Sequence, residues 1–464
     1  MTTKNDTDTI ITNSDKATAS SHTVTIDAGN DKVEVTLKDV NIDTSSRNKA
    51  AVSVTGSGNT TIKLDGDNAL KSDTSRSGIY GSGSLTISGG ENDSLTAQGG
   101  SGANGISSSG SLTISGGTVT ANGDDGGRGI SSSGRVTISG GSTVTAKGGS
   151  GTISGGDGIC SSGGVTISGG STVTANGGNG GRLVGGDGIR SSGGVTISGG
   201  STVTANGGNG SSGRDGISSS SGVTVSDGTV TATGGNSTGS YGSGGDGIRS
   251  DGGVTISGGT VKAAGGDSKN GSGGDGIRSG DIDLSGSLEL TAKAGSPNGK
   301  ALSQRGNELD LNTIKDKLGP GAKVTTTDAD GKVNQVPIPG PVEPEEPVIP
   351  EESSSSSDGG SAAPSAPASS LPGLTVTDKS GAVISYTSTQ SGNTLTVCVG
   401  RFAASLRASL STLRQLRAEG IETITFQTIL CSTTLSVDEL LAMGGEDAEA
   451  VLTHRSTDSS LTVG

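Results

Sequence analysis

The sequence predicts an all-β protein: a right-handed parallel β-helix solenoid, followed by a linker and a small α+β C-terminal domain. Three observations support this. A unit opening with Gly-Ile recurs eight times, 24 to 31 residues apart. Apolar and polar residues alternate within each unit, as in strands. Glycine contributes 87 of 464 residues and aromatic residues only 1%, which does not suit the ring-rich core of a large globular domain; collagen is excluded because glycine has no period of three.

Each unit contains three strand-like pieces, of the form Gly-Ile-x-Ser, Val-Thr-Ile-Ser and Thr-Val-Thr-Ala. The units open at Gly78, Gly105, Gly129, Gly158, Gly188, Gly216, Gly247 and Gly276. Such units bury a face only by stacking on one another, with equivalent strands paired about 4.8 Å apart. Parallel crossovers favour right-handed winding. A disordered Gly/Ser tract is the alternative, and the matched Val, Ile and Ala positions argue against it.

The domain boundaries follow shifts in composition. A short capping helix is expected within 307–318, and the segment after residue 334 is rich in Pro, Glu and Ser, which is typical of a linker. The predicted divisions are a flexible lead-in at 1–21, the β-helix at 22–330, the linker at 331–370 and the α+β domain at 371–464.

The last domain combines strand and helix patterns. A capping box, Ser436 with Glu439, predicts the start of one helix, and spaced leucines predict another over 402–418. Strands are expected at 383–388, 394–399, 421–427, 449–453 and 460–463. No function is assigned to this domain.

Charge and cysteine content exclude several classes of protein. The net charge of −14 argues against nucleic acid as a partner. Three cysteines do not make a disulfide framework. No apolar run reaches the roughly 20 residues of a membrane span, and the first residues show no signal peptide. We therefore expect a monomer that does not insert into membranes.

A row of acidic residues occupies the position before Gly-Ile on five consecutive turns. Aspartates often serve Gly-containing turns, and an exposed ladder would be tolerable because like charges at this spacing repel by only about 1 kcal/mol in water. Stacked carboxylates could alternatively hold calcium. The candidate metal ligands are Asp157, Asp187, Asp215, Asp246 and Asp275.

Three of these aspartates are followed, three residues later, by an arginine: Arg190, Arg249 and Arg278. Local ion pairing is the simple interpretation. A polysaccharide lyase site, with arginine as base, is an alternative, but lyase chemistry needs one unique constellation and this pair recurs. We therefore predict that the protein is not an enzyme.

Threonines form a second regular feature, at outward positions of the third strand of each unit. Threonine is enriched in strands whatever their function, and this alone could explain the pattern. A flat face of regularly spaced hydroxyls could also bind a polysaccharide. The candidate ligand-binding residues are Thr118, Thr120, Thr143, Thr145, Thr172, Thr174, Thr202, Thr204, Thr229 and Thr231.

The stretches VTLKDVNIDTSS (35–46) and TIKLDGDNAL (61–70), followed by the Gly-Ile units, resemble the bacterial carbohydrate-binding right-handed β-helix family, which belongs among pectate-lyase-like folds. The resemblance covers roughly 22–320. It implies binding of a cellulose-like or pectin-like polysaccharide, calcium assistance at the aspartate corners, no lyase activity, and a secreted or cell-surface location.

Two other functions stay open from the sequence. The β-helix could be a structural spacer or adhesin, including a phage fibre-like component, that displays the C-terminal domain. Alternatively, the Thr-x-Thr pattern resembles that of some β-helical antifreeze proteins, which suggests ice binding.

Overall fold

The computed structural model describes residues 9–319, 321–336 and 374–463, except for 379–382, 385, 392, 400–402, 429–431, 444–447 and 456–457. The chain divides into two compact units, Met1–Pro344 and Glu345–Gly464, and each is described by itself. Most of the predicted linker, 337–370, lies outside the described residues. No described helix is long and apolar enough to span a membrane.

The first unit is the predicted parallel β-solenoid. Two rows of strands lie on one large sheet. Row 1 contains Val24–Asp27, Val52–Thr55, Ile79–Gly81, Ile106–Ser108, Ile130–Ser132, Ile159–Ser161, Ile189–Ser191, Ile217–Ser219 and Leu302–Gln304. Row 2 contains Thr9–Thr12, Val33–Lys38, Thr60–Asp65, Leu85–Ser88, Leu112–Ser115, Arg135–Ser139, Gly164–Ile167, Val195–Ile197 and Gly222–Val225. Two long strands, Ile248–Ile256 and Ile277–Leu284, pass through both rows.

Row 3 forms a second sheet of eleven parallel strands and one antiparallel strand, Val333–Gln335. The parallel strands are Asn41–Asp43, Asp67–Lys71, Ser94–Ser101, Thr118–Asp124, Thr143–Lys147, Thr172–Asn176, Thr202–Asn206, Thr229–Thr233, Gly259–Ala264, Leu288–Lys293 and Lys323–Thr327. Equivalent residues pair directly on successive turns, as the repeat predicts: Val173 pairs with Val203, and Ala175 with Ala205.

A slender aliphatic core runs through the solenoid. Every row contributes apolar side chains at alternate positions, such as Ile189 in row 1, Ile197 in row 2 and Val203 in row 3, and all three are fully buried. Branched side chains suit this interior because they pack well on a pleated surface. The alternation that predicted the fold therefore corresponds to one continuous core.

The C-terminal end of the solenoid is closed by short elements. The expected capping helix is confirmed as a 3₁₀ helix, Leu311–Lys317, whose N-cap Asp310 accepts a hydrogen bond from the Asn312 N–H. Ile314 is buried against the core. The strand Asn307–Glu308 adds an antiparallel pair to the last strand of row 1. Such closure limits pairing of the open sheet end with other chains.

The N-terminal segment is more ordered than predicted. Residues Thr9–Thr12, which the sequence assigns to a flexible lead-in, form the first strand of row 2 and pair in parallel with Val33–Lys38. Thr9 is buried. The prediction was wrong here because the short TIIT segment adds its backbone to an existing sheet edge, which a search for repeats does not detect.

The second unit combines two four-stranded sheets with two helices. One sheet has the order Leu374–Thr377, Ala403–Ser409, Glu449–Arg455, Asp458–Val463, and the other has the order Thr387–Ser391, Thr394–Cys398, Thr423–Gln427, Ser432–Ser436. The helices are Leu410–Ala418 and Val437–Met443. The Glu439 N–H donates to Ser436 Oγ over 3.4 Å, as the capping box predicts.

The predicted helix 402–418 is wrong in its first half. Ala403–Ser409 is a strand between two neighbours of its own sheet, and its buried residues, Ala404, Leu406 and Ala408, have a period of two. The helix begins after Ser409, whose Oγ caps the Thr412 N–H. Leu406 fits either period, so sheet pairing decides the conformation.

Candidate functional site

The row of aspartates forms a buried ladder at the corner before row 1. The exposed fractions of the residues are only 1% to 9%. In each, Oδ1 accepts the backbone N–H of the equivalent residue on the next turn. The distances are 2.9 Å from Asp187 N to Asp157, 3.0 Å from Asp215 N to Asp187, 2.8 Å from Asp246 N to Asp215, 2.7 Å from Asp275 N to Asp246 and 2.7 Å from Lys300 N to Asp275.

Asn104 makes the same contact two turns before the first aspartate, because its Oδ1 accepts the Arg128 N–H over 2.9 Å. The aspartates therefore join successive turns, and they are buried instead of forming the exposed ladder that the charge spacing alone would tolerate. Nothing in the sequence indicated this burial, because the glycine-rich segments that flank the row have no apolar character. They nevertheless pack backbone against backbone and remove the carboxyls from water.

Burial changes the acidity of this row. It is the main cause that raises the pKa of Asp187 to about 7 and those of Asp215 and Asp246 to about 6, with the neighbouring carboxylates as a further cause. Backbone N–H donors and nearby guanidinium groups oppose the shift.

The backbone already engages part of what the aspartate row could offer to calcium. Calcium takes six to eight oxygen ligands, but one carboxylate oxygen of each aspartate already accepts a backbone N–H. Among the described residues, no group of three or more His, Cys, Asp or Glu side chains is placed to hold a metal ion. Calcium assistance stays a prediction of the resemblance.

A groove runs beside this row, along the outward positions of row 1. It consists of three cavities that follow one another along the solenoid, and we call them together the corner groove. The first, of about 550 Å³, is lined by Arg76, Tyr80 and Ser107 among others. The second, of about 350 Å³, includes Arg128 and Arg190.

The third cavity, of about 360 Å³, contains the densest set of cations in the corner groove. Its charged lining residues are Arg214, Asp215, Asp246, Arg249, Asp275, Arg278 and Lys300. Arg249 and Arg278 are direct neighbours on adjacent strands. Arg214 lines both the second and the third cavity, so the two cavities adjoin at this side chain.

The predicted local pairing of aspartate with arginine is only partly present. Arg190 Nε lies 4.0 Å from Asp187 Oδ2. Arg249, in contrast, pairs with Asp251 at 3.8 Å. Among the described residues, Arg278 forms no ion pair within 4.0 Å. The Asp246 and Asp275 carboxyls instead accept hydrogen bonds from backbone donors, and Arg249 and Arg278 both line the third cavity.

The predicted threonine residues lie on the other sheet. Equivalent threonines pair in register, for example Thr172 with Thr202 and Thr174 with Thr204. The outer set, Thr118, Thr143, Thr172, Thr202 and Thr229, is exposed, and the other five predicted threonines are half-buried. We call these ten residues the threonine face. The structure thus brings the ten together, but on row 3, away from the corner groove.

Sequence reasoning missed a second ladder in the variable tails of the repeats. The side-chain oxygen of Asn179 accepts the Asn209 N–H over 2.9 Å, that of Asn209 the Asn236 N–H over 2.7 Å, and that of Asn236 the Asp267 N–H over 2.7 Å. The recurrence of Gly-Gly-Asn before each variable segment was the available signal. These tails are therefore stacked, and their last residues, such as Gly185 and Ser212, line the second and third cavities of the corner groove.

Comparison with known proteins gives one match. A family model described as "Carbohydrate-binding domain-containing protein" matches residues 16–276, which are 261 of the 464 residues. The match includes all three rows of the solenoid up to the turn that carries Asp275. It therefore includes most of the corner groove. No curated protein and no solved structure matches the chain.

Proposed function

From the premise that this chain belongs to the carbohydrate-binding domain-containing family, we propose that it binds an extended polysaccharide, without catalysis, along the corner groove. The observation that carries the proposal is the groove itself. Its lining comes from equivalent positions of successive turns, so polar and charged groups, chiefly serine and arginine, follow one another along the solenoid axis. A linear polysaccharide has the same property, because one sugar follows another at a constant repeat.

The groove offers the two kinds of contact that sugar binding needs. Tyr80 is 42% exposed and lines the first cavity, and a tyrosine ring contributes apolar contact area together with a polar hydroxyl. Serines and arginines line the rest and can donate hydrogen bonds to hydroxyl and ring oxygens. The charged groups recur as a feature of the repeat, which favours binding over the single acid–base constellation of an enzyme.

Replacing Tyr80 with serine is expected to lower retention on polysaccharide by about five-fold, which corresponds to the loss of about 1 kcal/mol of ring contact. Serine fits the site because Ser53 and Ser107 occupy the same register on the neighbouring turns. The full chain is tested for retention on cellulose, pectin and chitin, with calcium and with a chelator. The chelator arm also tests the calcium prediction.

The matched control changes the threonine face. Thr172→Val with Thr202→Val removes two exposed hydroxyls on neighbouring strands and keeps the strand-favouring branched shape. We expect this variant to bind as the unchanged chain does. If it loses binding while Tyr80→Ser keeps it, the site lies on the threonine face. If the unchanged chain is retained on none of the glycans, the proposed function is wrong.

The regularity of the threonine face favours one second candidate, recognition of a crystalline lattice such as ice. The in-register threonines on five successive turns support it. An assay for inhibition of ice recrystallisation tests this candidate, with Thr172→Val/Thr202→Val as the variant expected to lose the effect. A secreted or cell-surface location, implied by the family resemblance, is tested by fractionating cells that express the full chain.

A further inference from the structure

Three large apolar side chains are exposed in the variable tails of the solenoid. Ile153 is 58% exposed, Leu183 is 55% exposed and Tyr241 is 95% exposed. Among the described residues of the eight Gly-Ile units, Tyr80 is the one other large apolar side chain that is exposed. Single exposed apolar residues are ordinary, but a contiguous set on one surface is typical of an interaction site. The stacking of the tails decides whether these three are contiguous.

Six tails connect row 3 to row 1 in this part of the solenoid. In chain order, tails 1 to 6 are 125–129, 148–158, 177–188, 207–216, 234–247 and 265–276. Backbone hydrogen bonds join tails 2 to 5 near their tips. The Leu183 N–H donates to the Ile153 oxygen over 2.8 Å, the Ser212 N–H to the Leu183 oxygen over 3.3 Å, and the Gly239 N–H to the Ser211 oxygen over 3.2 Å. We call the joined tips of tails 2 to 5 the tail ridge.

The tail ridge has a notch at tail 4. Tail 4 has ten residues, whereas tail 3 has twelve and tail 5 has fourteen. On tail 4, Ser211 stands beside the backbone that carries Leu183, because its Oγ donates to the Arg182 oxygen over 2.7 Å, and Ser211 is half-buried. Neighbouring tails lie about 4.8 Å apart. Along the ridge the order is therefore Ile153, Leu183, a notch at Ser211, and Tyr241.

Charged side chains of opposite sign flank the two ends of the tail ridge. Asp125 belongs to tail 1 and Asp124 immediately precedes it, and both are exposed. Lys269 belongs to tail 6 and is also exposed. None of these three forms an ion pair within 4.0 Å with any residue that the structure describes. Asp267, the acid of tail 6, directs its Oδ1 to the Ser296 N–H. The ridge thus ends in two carboxylates on one side and a lysine on the other.

We propose that the tail ridge is the contact surface for a second copy of this chain, in a dimer whose two solenoids run antiparallel. The twofold axis passes between tails 3 and 4. Tail 3 therefore faces tail 4 of the other copy, tail 2 faces tail 5, and tail 1 faces tail 6. Leu183 of each copy fills the notch at Ser211 of the other copy. Ile153 of each copy contacts Tyr241 of the other copy.

The same axis brings opposite charges together. Lys269 of each copy faces Asp124 and Asp125 of the other copy. A parallel dimer would instead place each tail opposite itself, so that Lys269 would face Lys269, Tyr241 would face Tyr241, and the two notches would leave a gap. Charge and shape therefore both favour the antiparallel arrangement, which is a closed contact between identical surfaces, as in most homodimers.

The size of the contact indicates how stable the dimer is. Six tails take part, and at about 4.8 Å between neighbours they span about 24 Å. A contact of this length belongs with the smaller interfaces, so we expect a dimer that dissociates on dilution. This differs from the monomer that the sequence predicts. Ile153, Leu183, Tyr241 and Lys269 line none of the three cavities of the corner groove, so the inference does not depend on the proposed function.

Sedimentation equilibrium of the full chain over a rising concentration series measures the association. We expect the unchanged chain to pass from the mass of one chain to the mass of two. The variant Leu183→Ser/Tyr241→Ser replaces the two side chains with the residue that tail 4 has at Ser211. We expect its dissociation constant to rise at least about ten-fold, because apolar side chains at the centre of an interface have effects of this size. Its Tm is expected to stay unchanged, since both side chains are exposed.

The matched control removes two exposed apolar side chains outside the tail ridge. Ile10 and Val333 are each 57% exposed, and both lie in strands away from the tails. Threonine keeps the branched shape that strands favour. We expect Ile10→Thr/Val333→Thr to change the dissociation constant by less than about two-fold, because residues outside an interface contribute little to affinity. Equal weakening in the ridge variant and in this control would indicate non-specific apolar association and would overturn the inference.

Charge reversal tests the antiparallel register. Lys269→Asp places an acid opposite Asp124 and Asp125, and Asp124→Lys places a cation opposite Lys269. We expect each single change to weaken the dimer at least about three-fold at low salt, because like charges then face each other. The combined chain, Lys269→Asp/Asp124→Lys, restores an opposite-charge pair with the signs exchanged, so we expect it to recover most of the loss. A combined chain that is weaker than either single variant overturns the register.

Two further results would overturn the inference. A mass of one chain at every concentration excludes the dimer directly. Loss of retention on cellulose or pectin in Leu183→Ser/Tyr241→Ser, without a change in sedimenting mass, would make the tail ridge a glycan contact instead. Unchanged retention in this variant, together with a loss of the dimer, supports the inference. These readouts are independent of the Tyr80→Ser test, so failure of the proposed function is distinguishable from failure of the dimer.

Discussion

Replacing Gly188 with alanine is expected to destabilise the solenoid by about 2 kcal/mol or more, the range of overpacked interiors. Gly188 opens a repeat, and a Cβ there would lie 2.5 Å from the Gly216 oxygen, 2.7 Å from the Asn206 nitrogen and 3.0 Å from the Ala175 oxygen. All three neighbours belong to backbone that pairs with adjacent turns, so none can move without lengthening a hydrogen bond. Thermal unfolding followed by circular dichroism measures the loss.

Gly194 provides the matched control, because it lies six residues away in the same repeat. A Cβ at Gly194 would meet only the Gly222 oxygen, at 3.5 Å, which is an ordinary contact. Gly194→Ala is therefore expected to change stability by less than about 1 kcal/mol, and the reduced freedom of the unfolded chain favours a small gain. Equal loss of stability in the two variants would show that close packing around Gly188 is not what requires a glycine there.

These two glycines also show how far composition alone predicts the structure. A glycine content of one residue in five indicates turns or tight packing, and it does not distinguish them. In the solenoid both occur: Gly170 has a φ of +70° at a corner, whereas Gly188 is needed for space. Only the stacked neighbours make the difference, and those of Gly188 lie 13 to 28 residues away along the chain.

The fold itself was predictable because its signal is repeated. Each turn independently places Ile, Val and Ala at alternate positions, and register between turns needs no long-range inference once the period is found. The burial of Asp215 was not predictable in the same way, since the residues around it are glycines and carry no hydropathy signal. The corner groove was not predictable, because the residue type at its lining position changes between turns, as at Tyr80 and Arg249, and a changing residue carries no repeat signal.

Raising the pH from 5 to 8 is expected to lower the stability of the solenoid. Burial, with neighbouring carboxylates, raises the folded-state pKa of Asp187 to about 7 and those of Asp215 and Asp246 to about 6, whereas the value in the unfolded chain is near 3.8. The folded chain therefore binds protons more tightly. The resulting stabilisation is fully present below pH 3.8 and is lost as the pH rises through 6 to 7.

The groups around the row determine the size of this effect. Asp215 is repelled by Asp246, and the guanidinium groups of Arg214 and Arg249 partly offset its charge. Each unit of pKa shift corresponds to about 1.4 kcal/mol, so we expect a loss of at least about 1 kcal/mol between pH 5 and pH 8. Hydrogen bonds from Ser45 lower the pKa of Asp43, so this residue stabilises the folded chain as the pH rises. Its contribution changes only below pH 3.8, which is outside the range from pH 5 to pH 8.

Asp215→Asn isolates the charge from the hydrogen bond. The amide oxygen can still accept the Asp246 N–H, as Asn104 does for Arg128, so the variant is expected to be at least as stable as the unchanged chain at pH 8 and to have a shallower pH dependence. Asp215→Ala removes the acceptor as well and leaves a buried N–H unpaired, which is expected to cost about 1–3 kcal/mol.

Comparison of the three chains from pH 5 to pH 8 cancels contributions from elsewhere. His454 in the second unit is one such contribution, because burial lowers its pKa and so disfavours the folded state on acidification. It is the same in all three chains, so the difference between Asp215→Asn and the unchanged chain reports the aspartate row. A difference that grows towards pH 5, instead of towards pH 8, would mean that the row is stabilised by its charge and that the guanidinium groups outweigh burial.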